Sequence, residues 1–227
     1  MNVLAFDTAT AATVVAFGDL ERRDDPPTGI RPAHARKLLS LIHAVLDESL
    51  SGWGRVDRIA VGVGPGTFTG LRIGIATAQA LAQATGIELV GVSTLASLEL
   101  GARAAHGDEC AILAVIDARR NEAFVSGAGL RPSVLTPEAL GDVAWKVGGG
   151  RAGIDCGNGV LAVGDGALKF RGQLERAGAI VPGDDSPLHR VSAVYHCRLA
   201  LEARPTATGV IEPEYLRQPD AELARKR

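Results

Sequence analysis

The stretch Arg58–Gly86, RIAVGVGPGTFTGLRIGIATAQALAQATG, constrains the fold more than any other part of the chain. It opens as an apolar run (Ile59, Ala60, Val61, Val63), passes through a loop with Gly62, Gly64, Gly66 and Gly70, and becomes a helix of small residues. Side chains four apart share one helix face, so Gly70, Gly74, Ala78 and Ala82 form a smooth row that a second helix can approach closely. Only Arg72, Thr77, Gln79 and Gln83 interrupt an otherwise apolar surface, which predicts burial on more than one side. A strand running through such a loop into a helix aims backbone N–H groups at whatever sits above the sheet, often an anion. Two familiar nucleotide loops fail here. Gly70 is followed by Leu71 and Arg72 where a P-loop needs Gly-Lys. The dinucleotide fingerprint lacks its third glycine, and the next predicted strand ends in Gly91-Val92-Ser93 rather than in a carboxylate. A tight turn packed for structural reasons fits the same spacing.

Upstream, Val3–Asp7 reads as an apolar strand ending in a carboxylate and Thr13–Phe17 as a β-branched partner, a hairpin with Asp7 at its mouth. Residues 20–32 read as a loop from Asp24-Asp25-Pro26-Pro27 and Gly29. Helical periodicity marks 33–50, where Leu41 and Ala44 widen the apolar stripe beyond one packing surface. The organising helix ends at Gly86, a natural C-cap. A strand over 88–92 and a short helix to about Arg103 follow.

The pattern then repeats. Ala111–Asp117 is again an apolar strand ending in Asp, followed by a turn at 118–121 and a strand over 122–126. A helix over 137–147 with Thr136 as N-cap and Pro137 at its first position precedes a glycine-rich loop, 148–159. Val160–Gly166 is a strand into a Gly-Asp-Gly turn, with helices expected over 167–177 and 192–203. Two α/β halves of similar order predict a duplicated, two-lobed fold of the actin/hexokinase/Hsp70-like (ASKHA) kind. The expected lobes are 1–103 and a reduced 104–227; one doubly wound domain is the rival arrangement.

Composition narrows the function. The chain has 227 residues, 46% hydrophobic and 4% aromatic, enough for aliphatic cores without staples. A net charge of −2 gives no broad basic surface for nucleic acid, and Arg225-Lys226-Arg227 reads as a solvated tail. Three distant cysteines, 110, 156 and 197, suit a reducing cytosol and exclude a Cys-x-x-Cys site. No apolar run approaches the roughly 20 residues of a membrane span, and the first strand follows Met1 without a charged leader, so a soluble cytoplasmic protein is expected.

Several of these stretches share one resemblance. Asp7-Thr8-Ala9-Thr10, Gly64-Pro65-Gly66-Thr67-Phe68-Thr69-Gly70-Leu71-Arg72-Ile73-Gly74, Gly91-Val92-Ser93-Thr94-Leu95, Asp117-Ala118-Arg119-Arg120 and Pro213-x-Tyr215-Leu216-Arg217 occur in that order. Together they resemble the TsaB (YeaZ) family, the dimerization subunit of the bacterial enzyme that makes threonylcarbamoyladenosine (t6A) beside the tRNA anticodon. The resemblance runs from Asn2 to about Arg217. It implies the actin-like fold, no catalysis by this chain alone, and a heterodimer with a related catalytic subunit of the TsaD type. An ATPase subunit of the TsaE type then joins, and a separate enzyme supplies threonylcarbamoyl-adenylate. The complex uses ATP, the metal belongs to the catalytic partner, and tRNA is held mainly by that partner.

The residues agree with a chain that lacks the chemistry. The catalytic relative carries a His-x-x-x-His metal pair after the strand that follows the GPG helix; the comparable stretch here, Ser93-Thr94-Leu95-Ala96-Ser97-Leu98, has neither imidazole nor carboxylate. His34 has Leu38 four residues on, His43 has Asp47, and His106, His189 and His196 are isolated. ATP-binding members of the superfold have Asp-x-Gly in the first hairpin, where this chain has Ala9. Asp7, Thr10, Gly64, Gly66 and Asp117 are therefore expected to line at most a vestigial nucleotide cleft, with the two carboxylates read as hairpin-turn acceptors of backbone N–H groups in preference to an acid/base pair. Gly91-Val92-Ser93-Thr94-Leu95 misses the G-x-S-x-G elbow of a peptidase. No catalytic and no metal-binding residue is assigned. The partner surface is expected on helices 33–50 and 70–86, at Leu38, Leu41, Ile42, Val45, Gly70, Gly74, Ala78 and Ala82, where a second copy could also dock. An independent small-molecule kinase or ATPase, or a homodimeric regulator, are the alternative functions.

Overall fold

The computed structural model describes residues 1–27, 29–50, 52–107, 110–148, 159–206 and 210–217. In chain order its strands are β1 (Val3–Asp7), β2 (Thr13–Phe17), β3 (Leu20–Asp24), β4 (Arg58–Gly64), β5 (Glu88–Ser93), β6 (Ala111–Arg119), β7 (Glu122–Gly127), β8 (Leu130–Leu135), β9 (Val160–Val163) and β10 (Ala179–Ile180). The helices are α1 (His34–Glu48), α2 (Phe68–Thr85), α3 (Thr94–His106), α4 (Pro137–Val147), α5 (Asp165–Lys169), α6 (Arg171–Arg176) and α7 (Ala193–Glu202).

Two sheets repeat one topology. The first runs β3-β2-β1-β4-β5 and the second β8-β7-β6-β9-β10. In each, the opening strand pairs antiparallel with the next strand and parallel with the strand that precedes a Gly-x-Gly turn. This is the duplicated mixed α/β arrangement expected from the sequence. The second copy is reduced at its edge, where β10 has two residues.

The division of the chain differs from the expected 1–103 and 104–227. Met1–Ser97 packs with Val191–Pro213 as one unit, and Leu98–Arg190 with the segment from Glu214 onward as the other. The reason is that β1 is buried along its whole length and so needs cover on both faces. Leu4 and Phe6 point into a cluster with Leu38, Ile42, Ile59 and Val61, the side covered by α1 and α2. Alternation sends Val3, Ala5 and Asp7 to the other side. There α7 supplies small or polar residues, with Cys197 Sγ donating to the Val3 carbonyl at 3.4 Å and His196 meeting Asp7. Arg58 fixes the end of α7 by donating to the carbonyls of Ala200 (2.5 Å) and Ala203 (3.0 Å) and to Glu88 (2.8 Å).

Local differences have local causes. Residues 20–24, read as loop, form β3, a charged edge strand (LERRD) whose pairing to β2 follows from the turn at Gly18. β8 has no strand signature in the sequence, because Pro132 and two polar residues break its pattern. The helix expected over 167–177 breaks at Phe170 into α5 and α6. The Gly86 C-cap is left-handed at φ 74°, and the Thr136 cap accepts from the Ala139 N–H. Of the loop 148–159, residues 149–158 lie outside the described residues. Cys110 is disulfide-bonded, which removes the cysteine argument for a reducing compartment, whereas Cys197 is a buried free thiol. No helix among the described residues is long and apolar enough to cross a membrane.

Candidate functional site

In the first unit the organising loop and helix close on the β1–β2 turn. Asp7 is 1% exposed and every bond to it is internal. Its Oδ1 accepts the Ala9 N–H at 2.6 Å, and its Oδ2 accepts the Thr94 hydroxyl at 2.7 Å and faces His196 Nε2 at 2.9 Å. Burial pushes the Asp7 carboxyl up, but the hydrogen bond and charge of His196, then the Ala9 N–H and the Thr94 hydroxyl, outweigh it and hold it below the ordinary carboxylate value. Gly62 lies directly over this carboxylate, where a methyl group would collide with Oδ2. His34 sits nearby with Nδ1 2.9 Å from the Thr13 hydroxyl, and burial lowers its pKa against the opposing pull of Asp7 and Asp24.

The glycine loop is occupied in the same way. The Thr67 N–H donates to the Ala9 carbonyl at 2.7 Å, and a methyl on Gly66 would strike Ala9. Thr8 Oγ1 donates to the Gly70 carbonyl at 2.8 Å, and a Cβ on Gly74 would lie 2.5 Å from that same hydroxyl. This corrects the expected partner surface. The Gly70–Gly74–Ala78 row faces Thr8 and Val61 of its own unit, and Ala78 is fully buried. Leu38, Ile42 and Val45 are core residues at 1%, 0% and 0% exposure. Of the eight expected contact residues only Leu41 and Ala82 keep partial exposure. On the solvent side of α1 and α2 stand Leu39, Phe68, Ala76 and Ala80, with Ile73 half-buried. The sequence revealed which helices were over-apolar; it did not reveal that the β1–β2 turn already fills the smooth row.

The counterpart in the second unit is more open. Asp117 accepts the Arg119 N–H at 2.8 Å and pairs with Lys169 Nζ at 2.6 Å and Arg119 Nη1 at 3.3 Å. Its own N–H donates to Asp165 Oδ1 at 3.0 Å. His189, read as isolated, is buried with Nδ1 3.1 Å from the Gly164 carbonyl and Nε2 3.1 Å from that of Pro182. Of the residues assigned to a vestigial cleft, Asp7, Thr10, Gly64 and Gly66 belong to the first unit and Asp117 to the second. Thr10 is half-buried and Gly64 is buried. His196, Thr94 and Lys169 are the site residues that sequence reasoning missed, since each meets its carboxylate across a long loop. Among the described residues no group of three His, Cys, Asp or Glu side chains is placed to hold a metal ion.

These features can be set beside known proteins. The family model for TsaD, tRNA N6-adenosine threonylcarbamoyltransferase, matches residues 25–146, more than half of the chain. The tRNA threonylcarbamoyladenosine biosynthesis protein TsaB of Escherichia coli is 36% identical over 124 residues, covering 55% of this chain and 53% of that protein. The match thus spans about half the length of the curated relatives. YeaZ from Pseudomonas aeruginosa superposes with a TM-score of 0.71 at 27% identity, over 95% of this chain and 100% of that one. The ROK hexokinase of Thermus thermophilus shares the fold alone, at a TM-score of 0.51 and 13% identity over 89% of this chain and 100% of its own. With its Asp7 turn, its GPG loop and helix, and its doubled sheet topology all in place, the chain belongs to the threonylcarbamoyltransferase family and, within it, to the TsaB (YeaZ) group.

Proposed function

We propose that the chain is a non-catalytic scaffold subunit in t6A formation on tRNAs that read codons starting with A, working in the cytoplasm. The observation that carries this reading is the state of Asp7. The carboxylate that a nucleotide-using relative of this fold would present is sealed by Ala9, Thr94 and His196, with Gly62 packed on top. With three of its four lone-pair sites already facing internal partners and the side chain buried, this carboxylate is poorly placed to take up a metal–nucleotide complex.

The partner is a catalytic transferase subunit of the TsaD type, itself a relative of this fold, with an ATPase subunit of the TsaE type joining the pair. Its docking surface is the solvent side of α1 and α2, with exposed Leu39 on α1 and, on α2, exposed Phe68, Ala76 and Ala80 and half-buried Ile73. Apolar side chains left on two adjacent helices favour association with another helical surface. A second copy of this chain docks there when the catalytic subunit is absent. ATP and threonylcarbamoyl-adenylate serve the complex, its metal is held by the catalytic subunit, and tRNA is bound mainly through that subunit.

The test is size exclusion of this chain mixed with the catalytic relative from the same organism, with tRNA modification assayed with and without it. Co-elution and dependence of modification on this chain are expected, and Ala76→Arg with Ala80→Arg should abolish both while leaving the fold intact. Gly74→Leu is no test of the interface, because it collides with Thr8 inside the unit. No complex and no effect on modification would overturn the scaffold reading, and saturable Mg-ATP binding by the isolated chain would favour an independent kinase or ATPase in its place.

A further inference from the structure

The outer strand of a sheet presents backbone groups that can pair with another chain, and three of the four edge strands here guard against it locally. β3 (LERRD) is charged along its length, β8 carries Arg131 and Pro132, and β10 has only two residues. β5 (ELVGVS) has none of these devices. After Glu88 it holds neither charge nor proline, and its β-branched Val90 and Val92 suit pairing.

β5 is guarded instead by the segment that follows α7. The Thr206 N–H donates to the Leu89 carbonyl at 3.1 Å, so Leu89 directs its backbone out of the sheet. On α2, Gln79 Nε2 donates to the Ile211 carbonyl at 3.1 Å. The Ile211 side chain lies over Gly91, 3.4 Å from where a Cβ would stand, and joins the core of the first unit at 7% exposure. Its neighbours Val210 and Glu212 are exposed, as are Arg204 and Pro205. The seating is also incomplete. A groove of about 560 Å³ stays open between this segment and the end of α2, with Ala82, Gln83, Ile87, Glu88, Thr206 and Val210 on its walls.

From these contacts we infer that the segment after α7 is a displaceable cover, and that the β5 edge beneath it is an association surface for the same strand of a second copy. Two β5 strands related by a two-fold axis run antiparallel and complete a ladder along both edges. With Leu89 facing outward, that pairing centres on Val90 or Gly91. Either register keeps the two Glu88 carboxylates at opposite ends of the paired strands, so no like charges oppose each other. The cover is thus an intramolecular placeholder for a strand added from outside. This surface is separate from the solvent side of α1 and α2 and does not depend on the function proposed above.

The experiment uses the full chain carrying Ala76→Arg with Ala80→Arg, which blocks association through α1 and α2 and isolates the β5 edge. Adding Ile211→Asp unseats the cover, and size exclusion with light scattering should then read about twice the mass of the parent, the value for a closed two-fold pair. Ile211 also serves the core, so Thr206→Pro with Gln79→Ala is the second variant; it removes both donors and leaves Ile211 in place. It should shift the mass in the same direction, and it decides the matter alone if Ile211→Asp does not fold. Hydrogen exchange locates the contact: β5 amides should become more protected as protein concentration rises. An edge that is only loosened would exchange faster at every concentration. A folded cover variant that keeps the mass of its parent would overturn the assignment, as would association without concentration-dependent protection of β5.

Discussion

Asp7 and His196 are separated by 189 positions in the chain and meet at 2.9 Å with both side chains buried. The other ring nitrogen, Nδ1, faces the Ser192 carbonyl at 3.2 Å. Held at both nitrogens, the buried ring pins α7 to the end of β1. Removing the ring leaves the buried Asp7 carboxylate one hydrogen-bond partner short, a loss of about 1–3 kcal/mol. His196→Leu should therefore destabilise strongly, and Asp7→Asn combined with His196→Leu should cost less than the two single changes added. Urea unfolding followed by circular dichroism reads both. A His196→Leu chain as stable as the wild type would show that the pair does not fasten α7.

Protonation makes two contributions of opposite chemistry and the same sign. The folded-state pKa of Asp7 lies below its ordinary 3.8, so its stabilisation is complete above that value and is lost as pH falls through the folded value. His34 is depressed below its ordinary 6.5 by burial, so on acidification the unfolded chain takes up a proton that the folded chain refuses. Stability should thus rise with pH through the window just below 6.5 and again at the acid end. Thermal midpoints of wild type and His34→Gln between pH 5 and 8, a range of about three units around the histidine value, check the first. The variant should show a shallower slope; an identical slope would remove His34 from the account.

Thr8 and Gly74 are fitted to each other. A Cβ at position 74 would stand 2.5 Å from the Thr8 hydroxyl, which itself donates to the Gly70 carbonyl. Gly74→Ala should cost about 1–3 kcal/mol by overpacking. In a Thr8→Ala background the penalty should shrink, because the oxygen that the methyl meets is gone. Gly70→Ala offers no such rescue, since its methyl would strike the Thr8 backbone carbonyl. A full double-mutant cycle measured in urea gives the coupling. Additive costs for the 8/74 pair would mean that the helix shifts instead of yielding at Thr8.

Much of this architecture was legible in the sequence, for identifiable reasons. The periods of α1 and α2, the Gly86 cap and the repeated strand–Asp–turn–strand order are local signals, and the structure has them within a residue or two. Orientation was not legible. A small-residue row announces close approach without naming the neighbour, and the neighbour proved to be Thr8, 66 positions before Gly74. The wide stripe on α1 likewise mixed core residues such as Ile42 with the half-buried Leu41. His196 carried no mark of its role, because an imidazole on a helix shows neither the distant carboxylate nor the face that turns toward it. The exchange of α7 into the first unit has the same origin: β1 needed cover on a side that no nearby segment supplies.

The last expectation concerns nucleotide. In the first unit the Thr67 N–H is spent on Ala9, and both oxygens of Asp7 are spent on Ala9, Thr94 and His196. In the second unit Asp117 is neutralised by Lys169 at 2.6 Å, an ammonium standing where a carboxylate of this kind would otherwise attract a divalent cation. Binding Mg-ATP would require breaking contacts to buried groups, each leaving an unsatisfied partner at about 1–3 kcal/mol. Calorimetric titration of the isolated chain with Mg-ATP should accordingly give no saturable heat in the micromolar range. Lys169→Ala should raise the affinity for Mg²⁺ without creating tight nucleotide binding, because the first-unit carboxylate remains sealed. Micromolar Mg-ATP binding by the wild type, abolished by Asp7→Ala, would show that the Asp7 cluster opens in solution, and would return the hairpins of this fold to the role they have in its kinases.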